Sequence, residues 1–186
     1  MIFDTTDQNP AGEDFDLVGP FGSVDQGLSQ NFEPGNVLIV QERNDCDFIA
    51  GSCAVPDDEG SRPGGEFEFS FSTDIVLQSL DFFDIEAAEN SQNSNSEIHL
   101  YDGGGAEIQA GLWFVPVTGG DNTWNRLNFD SVGGVRRIVI ELNGSGAIDN
   151  LAYQVVPAPA AVWLLGSALA LLGCWRVRSS EPVMVQ

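Results

Sequence analysis

Apolar and polar residues alternate without a break through Glu66-Phe67-Glu68-Phe69-Ser70-Phe71-Ser72, which sets three phenylalanines on one face and Glu68 and Ser70 on the other. A period of two marks a half-buried β-strand. The short apolar, β-branched run of residues 36–41 reads as a buried strand because turn residues bound it. Further strands follow over residues 75–85, 97–101, 107–117, 123–129, 136–142 and 147–155, each set off by Gly, Asn, Ser or Asp. Asp102-Gly103-Gly104-Gly105 is a hairpin turn between two of them. Residues 1–34, rich in Asp, Asn, Gly and Pro, read as loop with one edge strand, and residues 44–65 as an acidic surface loop. Before residue 158 no segment has helical periodicity. Seven to nine punctuated strands without βαβ alternation predict an all-β domain over residues 1–155, an antiparallel two-sheet sandwich of jelly-roll type.

The pattern changes at residue 158. From there to 175 no side chain is charged, and at about 1.5 Å per residue such a helix crosses most of a roughly 30 Å hydrocarbon core. Trp163 and Trp175 stand near its ends, where indole rings favour the headgroup region, and Arg176 and Arg178 follow at once. A single transmembrane helix over 158–175 with residues 179–186 as a short cytoplasmic tail is the expectation, and the domain lies outside the cytoplasm. A buried helix completing a soluble core is the alternative.

Val156-Pro157-Ala158-Pro159 opens this segment, followed by Ala-Ala-Val-Trp-Leu, Gly-Ser-Ala-Leu, Leu-Leu-Gly and the arginines. That order over residues 156–178 resembles the PEP-CTERM sorting signal of Gram-negative bacteria, in its Val-Pro-x-Pro variant, with Ala158 where glutamate is typical. The resemblance implies an exosortase partner, which processes the chain near the proline motif. It also implies residence in the inner membrane and then at the cell surface or outside the cell. Gly146 to Tyr153, together with Leu100-Tyr101-Asp102, resembles the closing strands of secreted jelly-roll domains, galactose-binding-like modules among them.

The formal net charge is −21, the chain has no lysine, and 27 of its 28 acidic residues precede residue 157. Such a surface repels nucleic acid and attracts divalent cations or basic partners. The first seven residues have no basic start or apolar run, so export of the domain leads us to expect a signal peptide encoded upstream; a cytoplasmic, tail-anchored protein is the competing topology. Cys46 and Cys53, separated by six residues in the acidic loop, read as a local disulfide of an exported domain, with free thiols or half a metal site as alternatives.

Acidic loops point to calcium, which takes six to eight oxygen ligands. Asp4, Asp7, Asn9, Asp14 and Asp16 are the candidate ligands, joined by Asp149 if the first and last strands pair; simple solvation of these acids is the alternative. The spacing Asp7-x-Asn9-x-x-Gly12 is not an EF-hand, because its twelfth position falls on Val18. Among aromatics, Trp113, Trp124, Tyr101 and Tyr153 could stack on sugar rings, and Trp124, at a loop edge, is the preferred one. His99 is the sole imidazole and shares a strand face with Glu97 and Tyr101, which gives a Ser or Cys nucleophile no obvious base. The expected function is therefore a non-enzymatic, envelope-anchored or exosortase-processed module that binds extracellular polysaccharide or calcium. The alternatives are a hydrolase using paired carboxylates and a purely structural surface protein.

Overall fold

The two longest apolar runs extend past the breaks read in the sequence, and their length decides the architecture. The computed structural model describes residues 1–7, 15–40, 46–47, 52–53, 65–86, 96–157 and 169, and the chain divides into two units, Met1–Val155 and Val156–Gln186. The first unit contains β1 (Ile2–Asp4), β2 (Gly22–Ser23), β3 (Asn36–Ile39), β4 (Cys46–Asp47), β5 (Ser52–Cys53), β6 (Glu66–Phe83), β7 (Glu97–Tyr101), β8 (Glu107–Phe114), β9 (Thr123–Glu141) and β10 (Ala147–Val155). The all-β expectation holds. In the second unit Val156, Pro157 and Leu169 are described, and Leu169 is helical. Among the described residues no helix is long and apolar enough to cross a membrane. Ala158, Pro159, Trp163, Trp175, Arg176 and Arg178, and with them the expected span, lie outside the described residues.

A two-sheet sandwich was expected; the β-sandwich is found, but its two layers are halves of one eight-stranded sheet, beside the two-stranded β4-β5 sheet. The order of the larger sheet is β1-β3-β10-β6-β9-β7-β8, antiparallel throughout, with β2 paired in parallel to the start of β9. The expected strands 66–72 and 75–85 are one strand, β6, and 123–129 and 136–142 are one strand, β9. The physical reason lies opposite the supposed breaks. The β6/β9 register slips between Ser70 and Ile75, and Asp130, Ser131 and Gly134 take positive φ values of 49°, 62° and 78°. Such irregularities bend a strand and raise its twist without ending its pairing. The Gly133-Gly134 pair is thus a bend in β9, where the sequence reading took it for a turn.

The bend folds the sheet over itself. The start of β6 pairs with the end of β9, next to β7 and β8, whereas the end of β6 pairs with the start of β9 and with β10. Side chains of both halves meet in one core: Ile98 and Leu100 of β7 and Ile138 and Ile140 of β9 join Leu80 and Phe82 of β6 and Ile148 of β10. Phe67, Phe69 and Phe71 pack against this core half-buried, as their alternation predicts.

A second core lies on the other face of the β3-β10-β6-β9 half. Phe83, Trp124 and Ala147 face Leu17, Phe21, Leu28 and Phe32, so the segment 15–34, read in sequence as loop, is an apolar cover with its own buried residues. Away from the main sheet, β4 and β5 pair antiparallel with Cys46 opposite Cys53.

Candidate functional site

Trp124, the tryptophan preferred as a sugar platform, is not at the surface. It is 3% exposed. Its ring packs on Phe32 at 4.4 Å between centroids and on Phe83 at 6.3 Å, Arg126 covers it at 5.5 Å, and its Nε1 donates to the carbonyl of Ser29 at 2.9 Å. The expectation is corrected by the cover segment. Trp124 follows a turn and looks like a rim residue, but residues 15–34 close over it and leave no ring face for a ligand.

Trp113 is the tryptophan beside an opening. A pocket of about 380 Å3 lies where β8 faces the bend of β9. Ile108, Leu112, Phe129 and Val132 form its apolar lining, and Gln109, Asp130 and Ser131 contribute amide, carboxylate and hydroxyl groups. Trp113 packs on Phe129 at 5.1 Å, and its buried Nε1 has no hydrogen-bond partner. Leaving such a donor unmet costs about 1–3 kcal/mol, which the packing of the ring on Phe129 and the core has to offset.

The backbone around the pocket is unusual too. Gln109 has φ 52° and Gly111 φ 70°, in the stretch of β8 where its pairing with β7 slips, and Asp130 and Ser131 face them from the β9 bend. Non-glycine residues in the left-handed region cost on the order of 1–3 kcal/mol each and gather at ligand clamps and active sites. Leu112, more than half exposed, carries the apolar lining out to the rim. The sequence reading named Trp113 without favouring it and missed Gln109, Asp130 and Ser131. Its one signal was the tract Asp130-Ser131-Val132-Gly133-Gly134, taken for a strand break.

The proposed calcium ligands are scattered or occupied. The carboxylate of Asp4 accepts from the backbone N–H of Thr6 at 2.9 Å and from its hydroxyl at 2.7 Å, and these bonds, the hydroxyl foremost, hold its pKa below the usual range. The carbonyl of Asp4 also accepts from the N–H of Asp7. Asp16 presents its carbonyl to the N–H and side-chain amide of Asn122, each at 2.8 Å, and its Oδ1 is buried without a partner. Asn9 and Asp14 lie outside the described residues. Asp149 does not join the N-terminal acids, because the first and last strands are not neighbours: the more apolar β3 sits between β1 and β10. Among the described residues no three carboxylate, imidazole or thiol groups gather to hold a metal.

Asp149 belongs to another constellation, a row across β10, β6 and β9. Register places it opposite Asp81, which is opposite Arg126. The Asp81 side chain is fully buried and accepts a forked pair from Arg126, Nε to Oδ1 at 2.6 Å and Nη2 to Oδ2 at 2.8 Å, with Asn150 Nδ2 at 3.1 Å. Every bond is internal to the sheet, so this row is structural. Burial, and more weakly the charge of Asp81, pushes the pKa of Asp149 up.

His99 lies on the outer sheet face with Nδ1 2.6 Å from Glu107 Oε1, and Glu97 and Glu141 flank its Nε2 at 3.6 and 3.9 Å. Its ring is stacked near Tyr101, which also carries Arg137 over its face at 3.9 Å. Val156 and Pro157 of the expected sorting motif are described and exposed.

No family model and no curated protein matches the chain. Among solved structures it is similar to a Streptococcus pneumoniae fucose binding module, at 22% identity over 52% of this chain with a TM-score of 0.31. A second such module, SpX-3, is 19% identical over 50% of this chain with a TM-score of 0.29. The chain spans 65% of the length of each.

Proposed function

We propose that this chain is a carbohydrate-binding module of the bacterial envelope and that its binding site is the pocket beside Trp113. One observation carries the reading: a partly buried tryptophan lines a pocket together with an amide, a carboxylate and a hydroxyl residue on strained backbone. A sugar ring has matching chemistry, with apolar C–H surface for the aromatic and aliphatic lining and hydroxyls that both donate and accept. The reading rests on the pocket and not on the likeness to the two fucose binding modules.

Binding without turnover fits the same residues. Among those lining the pocket Asp130 is the single carboxylate, whereas two-carboxylate hydrolysis needs a pair about 5–9.5 Å apart. His99, on the outer sheet face, is engaged by glutamates.

Delivery to the envelope is the second half of the proposal and is supported by the C-terminal sequence. Val156-Pro157-Ala158-Pro159, the uncharged run after it, Trp163, Trp175, Arg176 and Arg178 compose a membrane segment and sorting signal that an exosortase would process.

Glycan-array and calorimetric titration of the full chain test the binding half. Trp113→Ala is expected to weaken binding of whatever oligosaccharide is found at least tenfold, while thermal stability falls by no more than about 2 kcal/mol because the ring is only partly buried. An unchanged affinity would place the site elsewhere. For the delivery half, the mass of the native protein is expected to drop by the residues after the proline motif only in cells with a working exosortase; a full-length mass in both backgrounds would refute processing.

A further inference from the structure

The charges around the Trp113 pocket narrow the sugar, and this step rests on the carbohydrate reading above. No arginine lines the pocket, and the chain has no lysine. The arginines described in the folded unit are all engaged elsewhere. Arg126 is held by Asp81, and Arg136 by Asp74 and the carbonyl of Ser72. Arg137 stands between Glu68 and the Tyr101 ring. A uronate, sulfate or phosphate group entering the pocket would meet no cation among the described residues, and it would have to approach a chain of net charge −21.

The opposite charge is well provided for. Asp130, exposed at the bend of β9, lines the pocket beside Trp113. A carboxylate next to an indole is the pairing that receives an ammonium group: the carboxylate accepts charge-assisted hydrogen bonds and the ring face attracts the cation. We propose that the pocket binds an amino sugar whose nitrogen is not acylated. The polymer partner is therefore a hexosamine glycan carrying free, protonated amines, with the ammonium at Asp130 and the ring C–H surface against Trp113 and Leu112. The net charge of the domain then serves to draw a polycationic glycan toward this site from solution, an attraction that salt weakens.

The test uses the full chain in detergent and four probes of equal length: glucosamine, N-acetylglucosamine, glucose and lysine oligomers. Glucosamine tetrasaccharide is expected to bind about tenfold more tightly than the acetylated and glucose forms, and less tightly as salt is raised. Asp130→Asn is expected to remove that preference, since asparagine tolerates the left-handed backbone there. Asp121→Asn, an equal loss of charge at an exposed residue outside the pocket, is the control and should change affinity less than twofold.

Equal binding of glucose or N-acetylglucosamine oligomers, insensitive to Asp130→Asn yet abolished by Trp113→Ala, would overturn the amine inference and leave the carbohydrate reading standing. Glucosamine binding that Asp121→Asn weakens as much as Asp130→Asn would overturn it also, as attraction without a site. Lysine oligomers bound as tightly and with the same Asp130 dependence would make the pocket an ammonium site with no preference for sugar. Absence of any Trp113-dependent sugar binding would defeat both readings.

Discussion

Trp124→Ala is expected to lower the stability of the domain by about 4 kcal/mol, within the roughly 3–5 kcal/mol that truncating a buried large aromatic to alanine costs. The side chain joins the cover segment to the sheet. It touches Phe32 of the segment and Phe83 of β6, and its N–H is fixed by Ser29. Alanine there opens a cavity in the second core and leaves the Ser29 carbonyl unmet. For a folded unit of this size the melting temperature should fall on the order of 10 °C. Trp124→Phe keeps most of the ring and loses the hydrogen bond, so it should cost about 1 kcal/mol through that bond, plus a smaller packing term. Denaturant unfolding of the full chain followed by circular dichroism separates the cases. A loss below about 1 kcal/mol for the alanine variant would mean that the tryptophan is exposed and that residues 15–34 do not cover it.

Arg126→Ala is expected to cost about 3 kcal/mol, at the low end of what breaking a buried ion pair costs because the arginine side chain is itself 37% exposed. The damage is done to Asp81. Its carboxylate remains sealed in the sheet with only the Asn150 amide against it. Asp81→Leu combined with Arg126→Met should recover most of the loss, since replacing both partners by apolar groups of similar volume is often close to neutral. If the double variant is as unstable as Arg126→Ala alone, the pair is not the source of the effect. The neighbouring Asp149 gives this row a pH dependence of definite sign. Its folded pKa is raised, so its two states are equally protonated in strong acid. As pH rises from the ordinary carboxylate value through the folded one, ionisation penalises the folded state and stability falls. Asp149→Asn should therefore stabilise the protein at neutral pH and leave it unchanged in strong acid. A variant less stable than the parent at neutral pH would contradict the burial.

Strands were legible where burial alternates locally or where glycine sets off the run. Residues 97–101 and 147–155 were read from sequence with the bounds the structure gives them, because Ile98 and Leu100 point inward between polar neighbours and glycine punctuates the last strand. Long-range geometry was not legible. Glycine and aspartate carry the same local signal whether they end a strand or bulge it, and what separates the two is the pairing of β9 with β6 on both sides of the bend, through shifted registers. Trp124 and Trp113 exchanged roles for a similar reason. The first follows a turn but is roofed by a segment about a hundred residues earlier in the chain, and the second sits inside an apolar strand next to the opening that the bend creates. Of the site, the aromatic was within reach of the sequence. Asp130 and Gln109 were not, since nothing local distinguishes them from the other surface acids and amides.

The position of β10 has a consequence for when the domain can form. The last strand of the unit lies inside the sheet, between β3 and β6, and pairs Ala147 with both Ile39 and Phe83. These contacts close chain loops of roughly a hundred and of more than sixty residues, so the entropy of closure must be met before the pairing rewards it, and folding of such a topology is slow. A chain emerging from its amino end, from a ribosome or through a translocation pore, lacks the strand that unites the two halves of this half-sheet until residue 155 has cleared. The order of emergence therefore delays closure of the β3-β10-β6 part of the sheet until nearly all of the folded unit is present.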